Sequence, residues 1–175
     1  ICVTSRVQIL EDTQGQGLIG LKLKEFSWTG SNILFKDCSL FTGKWFAEVT
    51  FQGYKGWRDP DSGIGCVGPD FFPAFDINQS PYKLSKCWMI APFQGSVGHA
   101  GKLGTYSKIQ KWGVRRITIQ MRVDVDERRI EYYERDNNTN QLKFLAVFEC
   151  ILVPMLRPIM YVTGQQTIFI SLNTA

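Results

Sequence analysis

The chain has 175 residues, which suits one domain and leaves little room for a second. Hydrophobic residues make up 44% and charged residues 21%, a balance that excludes disorder as the main state, and a net charge of +4 is small for a nucleic-acid-binding domain. The single histidine excludes metal sites built from several histidines, while 16 Gly, 7 Pro and 12 Phe favour strands and turns over helices.

Ten short strands are predicted, separated by turns that contain Gly, Pro or Asp. In chain order they span residues 20–26, 32–36, 45–51, 63–67, 88–91, 114–123, 129–134, 141–148, 157–162 and 167–172. In the clearest of them, Ile117, Ile119 and Met121 alternate with polar residues, which predicts one face in a core and one in water. Residues 126–128 are predicted to close an antiparallel hairpin. No long segment has apolar residues at the spacing of an amphipathic helix, so the pattern favours an all-β sandwich or barrel.

The chain begins at Ile1 and carries no secretory leader, so we expect it to be a piece of a longer protein. No run of about 18 apolar residues occurs, and no membrane span is predicted. The five cysteines contain no C-x-x-C pair, so neither a zinc site nor a thioredoxin-type redox centre is supported, and we interpret them as reduced, mostly buried thiols in a cytosolic domain rather than as disulfides. The triplet Asn137-Asn138-Thr139 is a glycosylation sequon and leaves secretion open as the alternative.

The order of six motifs resembles that of the SPRY (B30.2-like) domain family. They span residues 43–49, 63–67, 85–88, 101–106, 123–133 and 145–164, and the resemblance covers about residues 18–173. Three positions depart from the family pattern. Trp112-Gly113-Val114-Arg115 stands where family members usually carry a glycine-aspartate pair. Arg157 stands where an aromatic residue is common, and Val162-Thr163-Gly164 lacks the tryptophan of some peptide-binding members.

The resemblance implies a single domain over residues 1–175: a two-sheet antiparallel β-sandwich of the SPRY/concanavalin-like jelly-roll type with little or no helix. It also implies a non-catalytic protein-interaction module that needs no cofactor or metal. Such a module recognises a short peptide or surface patch of a partner through loops at one end of the sandwich. In the wider family these modules accompany ubiquitin-ligase components, channels and RNA-processing proteins, so we expect a cytoplasmic adaptor with a protein partner.

The loop at residues 53–62 is the best single candidate for partner binding. Tyr54, Trp57 and Arg58 are of the residue types that dominate binding energy at protein interfaces. The alternative is that Trp57 folds back to cap the sandwich and Arg58 pairs with Asp59.

Two further loops complete the predicted binding set. The long loop at 68–86 contributes Phe72, Phe75, Tyr82 and Lys83, although its phenylalanines can instead pack the loop onto the core. Thr163 and Gly164 are added because the resemblance places them in the family's last loop. The segment 93–104 is also predicted to be a loop.

Residues elsewhere in the chain suggest three other functions. Asp124 and Asp126 alternate, as the carboxylates of a carbohydrate-binding or carbohydrate-cleaving jelly roll do, but a turn-forming role is favoured because Asp126 falls at the hairpin turn. The pairs Arg115-Arg116 and Arg128-Arg129 are interpreted as a solvated surface, so nucleic acid is not expected as a partner. His99 is interpreted as a loop or structural histidine.

Overall fold

A computed structural model of the chain describes residues 7–10, 19–23, 31–34, 39–52, 62–71, 84–93, 95–99, 102–105, 116–163 and 167–174. These residues form thirteen β-strands. In chain order they are β1 Val7–Leu10, β2 Ile19–Leu23, β3 Ser31–Leu34, β4 Lys44–Gln52, β5 Gly63–Val67, β6 Cys87–Ala91, β7 Ser96–His99, β8 Lys102–Thr105, β9 Arg116–Asp124, β10 Arg129–Arg135, β11 Leu142–Phe148, β12 Arg157–Val162 and β13 Thr167–Thr174.

The strands form two antiparallel sheets. One has the order β1-β2-β13-β4-β9-β10-β11 and the other the order β3-β12-β5-β6-β7-β8. All ten predicted strands are present, and the all-β sandwich is confirmed. The described residues contain no helix long and apolar enough to cross a bilayer.

The main core lies between the sheets and follows from strand alternation. In β9 the residues Ile117, Ile119 and Met121 are buried against the other sheet, as predicted. From the six-stranded sheet, alternate residues such as Ile90 and Met160 meet them. On the opposite face of β9, Thr118 and Gln120 are buried as well, so the prediction that this face lies in water is wrong at these two positions.

A buried tyrosine joins the two sheets. Tyr132 of β10 has no exposed surface, and its hydroxyl donates a hydrogen bond of 2.9 Å to the carbonyl oxygen of Trp88 in β6. The ring of Tyr132 also meets Phe148 edge-on at 6.1 Å. The side chain therefore contributes both apolar burial and a directional link between the sheets.

The six-stranded sheet is buried on its outer face as well. All five residues of β5 and all five of β6 are buried. A second apolar cluster, which includes Val67, Phe71 and Met89, lies on the face turned away from the main core. At Gly65 the two strands come so close that no Cβ fits beside β6. The middle of this sheet is thus the most enclosed part of the described structure.

The segment 93–104 contradicts its prediction as a loop, since it contains β7 and β8. Trp88 of β6 pairs with His99 of β7, and Gly98 of β7 pairs with Leu103 of β8. The many glycines of this segment favoured turns in the sequence, but pairing with an established strand overrides a weak local preference. Strand β1 was not predicted either.

Candidate functional site

Most of the predicted partner-binding residues lie outside the described residues. These are Tyr54, Trp57, Arg58, Phe72, Phe75, Tyr82, Lys83 and Gly164, and their roles remain predictions. The structure does, however, describe where their loops begin and end.

Thr163 is the one predicted residue that is described. It is buried, with 7% of its surface exposed, and its backbone N–H donates to Ser62 Oγ at 2.9 Å. The two hydroxyl oxygens are 3.4 Å apart. Ser62 directly follows residues 53–61 of the first predicted loop, and Thr163 directly precedes Gly164 of the last one. This contact therefore joins the stems of two predicted binding loops.

The predicted loops have stems at opposite ends of β5. Gly63, which follows the loop 53–61, pairs with Tyr161, whereas Val67, which precedes the long loop, pairs with Arg157 and Cys87. The predicted residues therefore fall into two groups, and the expectation that all of their loops start from one end of the sandwich is wrong. One group is Tyr54, Trp57, Arg58, Thr163 and Gly164, and the other is Phe72, Phe75, Tyr82 and Lys83.

Arg157 holds the stem of the long loop. Its Nη2 donates to the carbonyl oxygens of Pro69 and Phe71, the first of these bonds being 2.9 Å long. Lys86, at the other end of the loop, forms an ion pair with Asp70. Phe71 is buried in the outer cluster, which confirms the packing alternative for that phenylalanine.

Replacing Arg157 with glutamine is expected to loosen the long loop without unfolding the sandwich. The substitution removes a guanidinium that makes two hydrogen bonds to backbone. Each hydrogen bond to a charged group contributes about 1.5–3 kcal/mol to stability. We expect faster chymotrypsin cleavage at Phe72, Phe75 or Tyr82, measured by mass spectrometry. Arg116→Gln, at an exposed position of β9, is the matched control. Equal cleavage rates in both variants would contradict this role for Arg157.

A groove lies on the outer face of the seven-stranded sheet. It has a volume of about 990 Å³ and is found where β4 begins, β9 ends and β10 begins, with residues 149–152 forming one side. The backbone N–H of Ile151 donates to the carbonyl oxygen of Arg128 at 3.1 Å and holds that side in place. Charged residues of both signs line it, together with Phe46 and the exposed Leu152.

Ion pairs within the chain occupy most of the carboxylates in this groove. Arg129 is 2.6 Å from Glu131 and 3.5 Å from Glu149, and Lys44 is 3.2 Å from Asp124. These charges largely neutralise one another.

Arg122 and Arg128 differ from the other cations of the groove. Both are exposed, and neither forms an ion pair with another described residue. The Nε of Arg122 donates to Gln120 Oε1 at 2.8 Å, and its guanidinium carbon lies 4.7 Å from the centre of the Tyr133 ring. The ring and the amide hold this side chain in position, and it forms no ion pair with a carboxylate of the described residues.

Asp124 and Asp126 serve the hairpin turn. Asp124 Oδ1 accepts from the N–H of Glu127 at 3.0 Å, and Asp126 Oδ2 accepts from the N–H of Gly43 at 3.0 Å. The backbone hydrogen bond from Glu127, helped by Lys44, holds the pKa of Asp124 below its usual value. An acid catalyst needs a raised pKa, so the carbohydrate-cleaving alternative gains no support from these residues.

His99, Cys66 and Cys87 pack against other residues of the described sheets. His99 Nδ1 is 3.2 Å from the carbonyl oxygen of Cys87, and its ring stacks on Trp88 at 5.3 Å. Cys66 and Cys87 are buried thiols that form no disulfide within the described residues, and burial raises the pKa of Cys87 far above its ordinary value. Cys150, in contrast, is exposed. Within the described ranges, no group of three or more His, Cys, Asp or Glu is arranged to hold a metal ion.

Sequence reasoning missed the groove because its lining comes from strands far apart in the chain. Phe46 of β4 pairs with Arg122 of β9, which pairs with Glu131 of β10. Only the long-range register brings these residues together. The alternation in β9 did show that Arg122 points away from the core, but it did not show which residues lie beside it.

No protein-family profile matches the chain, and no curated protein matches it in sequence. Solved structures match its fold. The PSpry domain of TRIM65 aligns with a TM-score of 0.65 at 13% identity, covering 97% of this chain and 86% of that one. The SPRY domain of human HERC1 aligns with a TM-score of 0.56 at 14% identity, covering 97% and 96%. Stonustoxin aligns with a TM-score of 0.63 at 11% identity, but this chain covers only 26% of its length.

These likenesses concern the fold. They confirm that the chain has the SPRY-type β-sandwich indicated by its motifs.

Proposed function

We propose that the chain is a non-catalytic protein-interaction module that recognises a short peptide or a surface patch of a partner protein. The observation that carries this proposal is the structural match to two SPRY domains, each covering 97% of the chain. A rigid sandwich suits this function because it holds several loops at fixed positions while their sequences vary.

The primary contact is the loop 53–61 together with the last loop. Their stems are joined by the hydrogen bond from Thr163 to Ser62. Tyr54, Trp57 and Arg58 supply large contact area and hydrogen-bond donors, and Gly164 follows Thr163 directly in the chain. This group acts without a cofactor or metal.

The long loop is a second contact region, through Phe72, Phe75, Tyr82 and Lys83. Arg157 and the Asp70–Lys86 ion pair hold its stem. In the larger protein we expect the module to serve as a cytoplasmic adaptor, for example in a ubiquitin-ligase, channel or RNA-processing assembly.

Affinity capture with paired variants tests the proposal. The Trp57→Ala/Arg58→Ala variant is expected to lose captured partner protein by about tenfold or more, because such residues each contribute about 2 kcal/mol or more at interfaces. Tyr82→Ala/Lys83→Ala tests the second region separately. The matched control is Lys143→Ala/Phe144→Ala, which removes an exposed cation and an aromatic ring that is 52% exposed on β11.

Equal capture by the wild type and both loop variants would contradict the assignment to these loops. If no protein were captured above the level of an unrelated domain, and sugars were bound or hydrolysed instead, the function itself would be wrong.

A further inference from the structure

The groove on the seven-stranded sheet is separate from the stem of the loop 53–61. It lies where β4 begins, at Lys44, whereas that loop follows the opposite end of β4, at Gln52. A nine-residue strand separates these ends by about 27 Å. A ligand in the groove therefore uses residues that the proposed loop site does not.

Hydrogen-bond donors are in surplus within the groove. Glu131 accepts from Arg129 and from the hydroxyl of Tyr133, and Asp124 accepts from Lys44 and from backbone. Arg122 and Arg128 have no carboxylate partner among the described residues, and Glu127 is the one lining carboxylate there without an ion pair.

Arg129 is already held by Glu131 and Glu149, and its Nε is buried without a hydrogen-bond partner in the described structure. The donors open to a ligand are therefore those of Arg122 and Arg128. The groove is thus prepared for a ligand that brings acceptors, and carboxylates match guanidinium groups best.

The walls also contain apolar surface. Leu152 is 74% exposed at the rim, and Phe46 is half-buried beside Arg122 in the register. An exposed leucine and a half-buried aromatic ring in the same groove favour a ligand that combines an apolar group with its negative charges. The volume of about 990 Å³ lies at the upper end of the range of about 300–1,000 Å³ found for ligand sites.

We propose that this groove binds an acidic peptide segment of a partner protein, one in which Asp or Glu residues flank an apolar side chain. The segment is recognised through its side chains. It cannot add to the sheet as a strand here, because β4, β9 and β10 each already pair with a strand on both sides.

A peptide fits this lining better than a nucleic acid does. Four carboxylates, those of Asp124, Glu127, Glu131 and Glu149, lie among the four cations of the lining, so a ligand with a negative charge at every residue meets repulsion that a peptide with one or two carboxylates avoids. A peptide can place single carboxylates against Arg122 and Arg128 and its apolar residue against Leu152. The net charge of +4 also provides little long-range attraction for nucleic acid.

Selection from a random library of short displayed peptides tests this proposal. We expect the selected peptides to combine Asp or Glu with Leu, Ile or Phe. The Arg122→Gln/Arg128→Gln variant should bind a selected peptide at least about tenfold more weakly, since hydrogen bonds between charged groups are the strong ones. The matched control Arg116→Gln/Lys143→Gln removes the same charge from exposed positions outside the groove and should change affinity by less than about twofold.

Three results would overturn the proposal. The first is selection of peptides without acidic residues, or no selection at all. The second is equal binding of the selected peptides to the groove variant. The third is that a single-stranded oligouridylate, or a second copy of the chain, binds the wild type and loses binding in the groove variant. The Trp57→Ala/Arg58→Ala variant should bind the selected peptides normally, so failure of the loop site and failure of the groove are distinguishable.

Discussion

Replacing Gly65 with alanine is expected to cost at least about 4 kcal/mol of folding free energy and to leave much of the protein unfolded at room temperature. A Cβ at this position would lie 2.7 Å from the Cα of Met89 and closer still to the carbonyl oxygen of Trp88. Real Cβ atoms do not approach backbone so closely, so strands β5 and β6 must separate.

Neither strand can move cheaply. β5 also pairs with β12, and β6 also pairs with β7, so the two strands lie in the middle of their sheet. Both are buried along their whole length, which means that a shift of either disturbs packed side chains on two faces.

Gly43→Ala is the matched control for this prediction. Gly43 has φ +81°, but no atom lies within 4 Å of the place that a Cβ would take, so the added methyl group meets only backbone strain. That strain costs about 1–2 kcal/mol. Urea denaturation followed by circular dichroism should rank the wild type above Gly43→Ala, and Gly43→Ala far above Gly65→Ala. Similar midpoints for the two variants would show that the strands separate more easily than their burial indicates.

Replacing Tyr132 with alanine is expected to lower the free energy of unfolding by about 3–5 kcal/mol. The side chain is among the largest that are fully buried in the described core, and its removal leaves a cavity between the sheets. Tyr132→Phe keeps the ring but removes the hydrogen bond of 2.9 Å to the Trp88 carbonyl oxygen, which should cost about 1–3 kcal/mol.

The neighbouring tyrosine provides the control. Tyr133 lies on the outer face, where its hydroxyl donates to Glu131 Oε2 at 2.8 Å in a partly exposed position. Tyr133→Phe should therefore change stability by no more than about 0.5 kcal/mol. Thermal and urea melts of the variants check the order. A loss for Tyr132→Phe as small as that for Tyr133→Phe would mean that the link between the sheets contributes little.

Strands that have one face in the core could be predicted from the sequence. In β9 the alternation of Ile117, Ile119 and Met121 with polar residues identified the core face, and the strand lies where expected, but it did not show that Thr118 and Gln120 on the other face are buried too. The fully buried β5 was also predicted, because a short apolar run between turn residues is typical of a strand enclosed on both faces.

Pairing between strands could not be predicted in the same way. β7 and β8 were missed because their glycines favour turns locally, and the pairing of β7 with β6 makes them strands. The groove was missed for a related reason, since Phe46, Arg122 and Glu131 become neighbours only through the register of three strands. A resemblance of motifs indicated the fold but carried no information on these contacts.

The candidate loop residues illustrate a third limit. The sequence showed that residues such as Trp57 and Arg58 have side chains suited to partner binding. It did not show that the candidate residues belong to two separate groups. That division follows from β5, whose two ends connect to different loops. Thr163 was chosen by correspondence with a family loop, and its burial against Ser62 follows from long-range contact.

The position of β13 has a consequence for synthesis of the protein. Residues 167–174 lie between β2 and β4, although they come well over 100 residues later than either strand. While the ribosome is still making the preceding segment, β2 and β4 have no shared partner and present unpaired edges. This sheet can close only after translation has passed residue 174, so the nascent chain must remain protected from aggregation until then.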